Sequence, residues 1–313
     1  MNIKKRVFSL LSSCYVVGCL FAQNILISTP TTSLVLSAPE KGELKYIYYG
    51  AKLSDRDFQT IGSLNKGKYA AYPVYGLNCP SEVALAVKHN DGNMTLQLEV
   101  VKVESSHQDE ANLTIISLKD KVYPFYVKMY YKAYQDTDII EIWSEISHQE
   151  KKTVVLNQFA SAYLPIRKGD VWLSHLYGAW ANEGRLEEVP LEAGMKVIKN
   201  KDGVRNSHTA HAEVMFSLDG KPRENEGRVI GAALCYSGNY KLRIDTDESD
   251  YHHFFAGINE DNSTYNLKNG EIFRTPELAL TYSDEGLSGS SRNFHRWARL
   301  HKLANGTKLR KIL

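Results

Sequence analysis

Between residues 24 and 282 the sequence returns again and again to one pattern: a short run in which apolar and polar side chains alternate, closed by Gly, Asn, Asp, Ser or Pro. Alternation with a period of two sends successive side chains to opposite faces of a β-sheet, so the pattern predicts strand after strand. Residues 139–146 show it most plainly. Ile140, Ile142, Ser144 and Ile146 share one face, and Glu141, Trp143 and Glu145 share the other, with Trp143 either covered on the outer face or packed against a second sheet.

Strands are expected at residues 24–39, 43–50, 82–89, 93–103, 113–118, 123–134 and 139–146. In the second half they are expected at 153–164, 170–177, 186–194, 211–219, 229–237, 241–247 and 251–258. A last strand takes in Phe273, Pro276 and residues 278–282, where Pro276 suits an edge position. The separators carry turn chemistry: Asn90-Asp91-Gly92, Asp136-Thr137-Asp138, Lys168-Gly169-Asp170, Asn200-Lys201-Asp202-Gly203, Asp219-Gly220, Ser237-Gly238-Asn239 and Asn269-Gly270. Many short strands at regular spacing imply an antiparallel sandwich or barrel rather than βαβ units. No Pro/Gly/Ser-rich linker splits the chain, so a single, unusually large sandwich domain is expected.

Two segments depart from this pattern. At the start, Lys4, Lys5 and Arg6 precede a short apolar stretch, residues 7–21, and Ala22-Gln23 offers a cleavage point. This reads as a secretory signal peptide over residues 1–22, leaving a sandwich over 23–287 and an exported, periplasmic or extracellular protein. Val16-Val17-Gly18-Cys19 also resembles a lipobox, which would anchor the chain by lipid on Cys19. No segment is long and apolar enough to span a membrane. At the other end, Ser288, Ser290 or Ser291 is placed to cap a helix starting near Arg292, on which Phe294, Trp297, Ala298 and His301 recur at helical spacing. Residues 288–313 thus read as a linker helix followed by the onset of a strand.

Composition narrows the function classes. A formal net charge of +2 lacks the basic excess of a nucleic-acid binder. The 19 tyrosines suit sheet packing and also the stacking of sugars on ring faces. Outside the signal only Cys79 and Cys235 remain, placed either to form one disulfide or to stay as two thiols. His-Glu-x-x-His, Cys-x-x-Cys, Gly-x-Ser-x-Gly and phosphate-binding loops are all missing, so neither a metal nor a cofactor is expected.

Several phrases, in order, resemble the N-terminal domain of family 36 α-galactosidases. They are Tyr46-Ile47-Tyr48-Tyr49-Gly50 with Leu53, Tyr72-Pro73-Val74-Tyr75-Gly76, and Gly178-Ala179-Trp180-Ala181-Asn182-Glu183 followed by Leu191, Gly194 and Ser207-His208. Thr275-Pro276-Glu277, residues 282–287 and the helix at 290–299 complete the set. The resemblance implies a two-sheet β-supersandwich of galactose-mutarotase-like shape, followed in the family by a (β/α)8 catalytic barrel. One departure stands out: Leu77-Asn78-Cys79-Pro80 stands where family members often carry Gly-Asp-Phe-Arg, so a sugar contact made there by an acid or arginine in relatives is not carried over to this chain.

Retaining glycoside hydrolysis needs two carboxylates about 5 Å apart, and a barrel that carries them takes about 250 residues. Only 26 residues follow Leu287 (313 less 287), so no catalytic residue is expected in this chain, and the barrel becomes an expected partner beyond it. Tyr72, Tyr75, Trp180 and His208 are candidate sugar-facing or interface residues, and Phe294 and Trp297 candidate barrel-docking residues in an exposed apolar patch with Ile312 and Leu313. The resemblance also implies α-galactosides as ligands of the whole enzyme, and homo-oligomers. Two other readings stay open: a stand-alone carbohydrate-binding protein, and a mutarotase-like enzyme drawing on His175, His208, His211, Glu183, Glu187 and Asp202.

Overall fold

The structure is a computed structural model and describes residues 23–306 except 41, 65–66, 77–81, 206–207, 247, 249–250, 262 and 305. The proposed signal with Cys14 and Cys19, as well as Cys79, Ser207 and residues 307–313, therefore lies outside the described residues. Strands dominate. In chain order they are β1 (Gln23–Ser28), β2 (Thr32–Ala38), β3 (Lys45–Ala51), β4 (Leu85–Lys88), β5 (Leu98–Gln108), β6 (Ala111–Asp120) and β7 (Phe125–Tyr134). There follow β8 (Ile139–His148), β9 (Val154–Arg167), β10 (Trp172–Tyr177), β11 (Arg185–Pro190), β12 (Gly194–Lys199) and β13 (Ala210–Ser217). The last are β14 (Val229–Leu234), β15 (Tyr240–Thr246), β16 (Tyr251–Ile258), β17 (Tyr265–Leu267), β18 (Ile272–Arg274) and β19 (Leu278–Ser283). Two α-helices, α1 (Asp55–Leu64) and α2 (Gly286–Trp297), complete the set, and α2 continues as a π-helical turn, Ala298–Lys302.

Two large antiparallel sheets form the sandwich. A ten-stranded sheet runs β11-β10-β13-β14-β19-β8-β7-β6-β5, with β18 also on β8. A six-stranded sheet runs β12-β15-β16-β9-β17, with β4 also on β9. The supersandwich expectation holds, with a third, three-stranded sheet β1-β2-β3 added to it. One continuous core fills the space between, and Phe216 of β13 meets Phe254 of β16 edge-on at 5.1 Å across it. Ile116, Met129, Ile140, Ile146, Phe125 and Phe254 are fully buried, each contributing about 1.5–3 kcal/mol. Ile25, Ile27, Leu34 and Leu36 bring the small sheet into the same core.

Three differences from the sequence reading have local causes. Residues 24–39 are two strands, because Pro30 fits no ladder and Thr29 closes a turn, accepting from Thr32 N and donating its hydroxyl to Asp138. Residues 186–194 end at Pro190, and the chain crosses within three residues to β12, an edge strand of the other sheet. Helix α1 was not expected from the strand pattern. Its start is a serine N-cap: Ser54 Oγ accepts from Asp57 N and donates to the Asp57 carboxylate.

Helix α2 begins at Gly286, before the expected Arg292, and no serine side chain caps it. Its first donors instead meet backbone carbonyls of the loop between β13 and β14: Gly286 N to Gly227 O, Leu287 N to Arg223 O and Ser288 N to Glu224 O. Gly286 has φ +65°, and a Cβ there would strike Arg223 O and Glu224 O, so a glycine is required. Ser290 is instead fully buried, pressed against Gly231 of β14. At the far end, Lys302 Nζ lies 2.6 Å from the buried Glu141 carboxylate, and His301 Nε2 lies 2.9 Å from Asp136.

Three buried histidines are bonded to neighbouring side chains. His89 Nδ1 and Glu150 Oε1 are 2.7 Å apart, and His89 stacks on Tyr123 at 3.7 Å. Burial alone would raise the Glu150 carboxyl, but hydrogen bonds from His89 and Asn90 outweigh it and hold the group below its ordinary value. His252 and His253 are both buried in β16 rather than free on the sheet surface. The Tyr163 hydroxyl meets His253 Nδ1 at 2.7 Å, and Thr246 Oγ1 meets His252 Nδ1 at 2.7 Å.

Two outcomes are expected. A Cβ on Gly231 would lie 2.3 Å from Ser290 Oγ and 2.7 Å from Phe294, so Gly231→Val should lift α2 off the sheet. The cost is about 1–3 kcal/mol, or roughly 2–5 °C in Tm by calorimetry, and an unchanged Tm would refute this seating. Burial, with Lys168 and His253 adding repulsion, pushes His252 down to about 4. Between pH 6.5 and 4 the unfolded chain therefore takes up a proton that the folded chain refuses, and stability falls as pH falls, by about 3 kcal/mol over that window. Urea unfolding of His252→Gln should show a shallower loss across the same range; parallel pH profiles for the two proteins would contradict the assignment.

Candidate functional site

The β10–β11 hairpin forms one lateral edge of the ten-stranded sheet, and its tip is strongly exposed. The strands pair from Trp172↔Pro190 to Tyr177↔Arg185, and residues 178–184 close the turn. Ala179 N donates to Asn182 O and Asn182 N returns a bond to Ala179 O, while Ala181 N donates to Glu183 Oε1 at 3.1 Å. Ala181 sits at φ +58°, and a Cβ on Gly178 would meet Asn182 O at 2.6 Å. This tight geometry holds Trp180 84% exposed. Gly178 N donates to Thr209 O at 3.2 Å, so the half-buried His208 belongs to the segment beside the tip. The fold thus lays the segment that carries His208 beside the base of the turn that carries Trp180.

The other candidates fare differently. Tyr72 is 3% exposed and donates its hydroxyl to Ala160 O at 2.7 Å, so it is a core side chain and cannot face a sugar from its present position. Tyr75, 51% exposed, remains on the surface. Trp297 is not exposed: at 6% it packs with Ala111, Tyr134, Ile139 and Ala279 under α2, because its side of the helix faces the sheet. Phe294 is half-buried against the same cluster. Cys235 is half-buried, and burial pushes its thiol up to about 11, which makes it a poor nucleophile.

The structure also bears on acid–base chemistry. His175 Nε2 and Glu187 Oε2 are cross-strand partners 2.6 Å apart, and Lys196 Nζ holds the same carboxylate at 2.8 Å. Burial, then Lys196, lowers the His175 imidazole, while the Lys196 hydrogen bond leads in lowering Glu187. The histidine is thus bonded to a carboxylate that Lys196 already clamps, and His175 also lines the groove described below. Glu183 caps the hairpin turn, and Asp202 accepts at its carbonyl from Arg205 N in another turn. Among the described residues no group of three His, Cys, Asp or Glu could hold a metal ion.

Sequence reasoning missed a groove of about 620 Å³ between α2 and the outer face of β10, β13 and β14. Leu176, Leu186, Met215 and Phe294 line it, with Glu213 and Glu224 among its polar residues. Among the described residues these two are the only carboxylates lining it. Glu213 is 63% exposed at its side chain, and Glu224 is exposed and accepts from Ser288 Oγ. A general acid for glycoside cleavage needs a dry site that raises its pKa, and neither carboxylate sits in one. No local pattern signals the groove, since it arises where α2 covers only part of the sheet.

Comparison with known proteins bears on this arrangement. The family model of the Glycosyl hydrolase family 36 N-terminal domain matches residues 42–268. Alpha-galactosidase Mel36A of Lactobacillus acidophilus is 32% identical over 300 residues, which cover 84% of this chain and 40% of that protein. The bifunctional alpha-galactosidase/sucrose kinase AgaSK of Mediterraneibacter gnavus is 26% identical over 305 residues, 87% of this chain and 32% of that protein. The chain thus spans two-fifths or less of the length of these relatives. In fold, the crystal structure of the alpha-galactosidase AgaA from Geobacillus stearothermophilus superposes with a TM-score of 0.84 at 23% identity, covering 93% of this chain and 45% of that one. Matched by its family model across most of the sandwich, this chain belongs to glycoside hydrolase family 36, whose N-terminal domain it comprises.

Proposed function

We propose that this chain serves an α-galactosidase as its non-catalytic sandwich, with hydrolysis carried out by a catalytic barrel outside residues 1–313. The observation that carries this reading is the family-model match over residues 42–268, joined to a relative that extends well beyond the matched region. The chemistry of the described side chains agrees with it. The carboxylate of the histidine–carboxylate pair of β10 and β11 is clamped by Lys196, and the groove carboxylates are exposed. In this role the sandwich supports the barrel, contributes to assembly of subunits and presents exposed aromatic rings, Tyr75 and Trp180, towards the region where α-galactosides are bound. Helix α2, anchored by Lys302 to Glu141 and by His301 to Asp136, fixes the direction in which the chain leaves the sandwich. The basic and apolar start of the sequence fits export, with cleavage after Ala22.

Two measurements check these statements. The purified chain should release no chromophore from a nitrophenyl α-galactoside, and turnover above the buffer blank would end the non-catalytic reading. Amino-terminal sequencing of the exported protein should begin at Gln23, whereas an intact Met1 or a lipid on Cys19 would reject that cleavage site.

A further inference from the structure

The loop between β13 and β14, residues 218–228, holds hydrogen-bond donors that the fold leaves unused. Arg228 turns Nε and Nη2 to the Asp219 carboxylate, and Arg223 turns Nη1 to Glu226 Oε1 at 2.7 Å. A guanidinium carries five N–H donors, so each arginine keeps others to spare. Lys221 is exposed and enters no ion pair among the described residues.

These side chains surround a pocket of about 100 Å³, which Ser217, the last residue of β13, also lines. Ser217 is 5% exposed, and its hydroxyl has no hydrogen-bond partner among the described residues. A hydroxyl withdrawn from water ordinarily finds one. Three cations and two carboxylates line the space, an excess of one positive charge, and an arginine already holds each carboxylate. There is room for about three water molecules, the scale of a compact ion.

We propose that this pocket binds a tetrahedral oxyanion, a phosphate or sulfate group, with Ser217 Oγ donating from the floor and Lys221, Arg223 and Arg228 closing from the rim. The planar fork of arginine matches such a group, and hydrogen bonds to a charged acceptor are the strong ones. The loop's other task gives the site a role. Carbonyls of Arg223, Glu224 and Gly227 take the first three N–H groups of α2. An anion that joins Lys221, Arg223 and Arg228 draws the two sides of the loop together and steadies those carbonyls. Occupancy therefore tightens the start of the helix by which the chain leaves the sandwich, and it stabilises the folded state by mass action. This inference goes beyond the α-galactosidase reading and does not depend on it, because anion titration reports the one and turnover the other.

Isothermal titration calorimetry of the full chain, at an ionic strength fixed with sodium chloride, tests the site. The titrants are sodium phosphate, sodium sulfate, galactose 6-phosphate and galactose 6-sulfate, and at least one should bind saturably. Equal affinity for ions and esters marks a site for the free ion; tighter esters mark one for a group carried on a sugar. Ser217→Ala removes only an unpartnered hydroxyl, so without anion its Tm should match or exceed the parent's, while binding weakens roughly tenfold or more. Lys221→Glu, an exposed change, should abolish binding. Amide hydrogen exchange over residues 286–290 should slow when the bound titrant is added to the parent and stay unchanged in Lys221→Glu. No saturable heat with any of the four titrants, a Ser217→Ala protein that binds as tightly as the parent, or exchange at 286–290 indifferent to the anion would overturn the inference.

Discussion

The outer face of the ten-stranded sheet is covered by a single helix, and how closely that helix approaches depends on the hydrogen at Gly231 where other residues have a Cβ. Ser290 and Phe294 rest directly on that bare stretch of β14. Because α2 can sit so low, Trp297 reaches the cluster formed by Ala111, Tyr134, Ile139 and Ala279, and Lys302 reaches Glu141. Because α2 is only twelve residues long, it leaves the β10 and β13 side of the face uncovered, and the groove is the result. Packing at one glycine thus sets the position of the exit helix and the shape of the open space beside it.

Much of this was legible in the sequence. Period-two alternation located most strands, because a residue such as Ile140 or Ile146 has only one way to reach the core of a sheet. What was not legible has physical reasons. β17 has three residues, too few to show a period. α1 lies among exposed residues, where alternation is silent and only Ser54 and Asp57 give a signal. The serines ahead of Arg292 suggest a side-chain cap, but carbonyls of residues 223 to 227, brought there by the tertiary fold, satisfy the donors first. Of the site candidates, Trp180 stood next to turn chemistry and stayed exposed. Tyr72 stood next to a similar signal and is buried, since its hydroxyl finds Ala160 O across the core. Local sequence cannot tell a ring that packs from a ring that protrudes; the partner strand decides.

Several buried polar groups are paired within the fold: His89 with Glu150, His253 with Tyr163, His252 with Thr246 and Glu141 with Lys302. The His175, Glu187 and Lys196 set makes its contacts where β11 gives way to β12. It lies where the chain passes from one large sheet to the other, and its charges link β10 and β11 of the ten-stranded sheet to β12 of the six-stranded one. What resembles acid–base machinery in residue type is, in its contacts, a brace between layers.

The order of strands along the ten-stranded sheet has a consequence for a chain emerging from the ribosome. β5 to β8 form a local meander that can assemble as soon as residue 148 is out. The free edge of β8 is later paired with β18 and β19, whose first residues are Ile272 and Leu278. At typical rates of elongation the intervening stretch takes on the order of ten seconds to appear. For that interval the nascent protein presents a long, apolar, unpaired strand edge, the kind of surface that recruits neighbouring chains. Vectorial synthesis, more than the finished fold, is therefore where this sandwich most needs the help of chaperones.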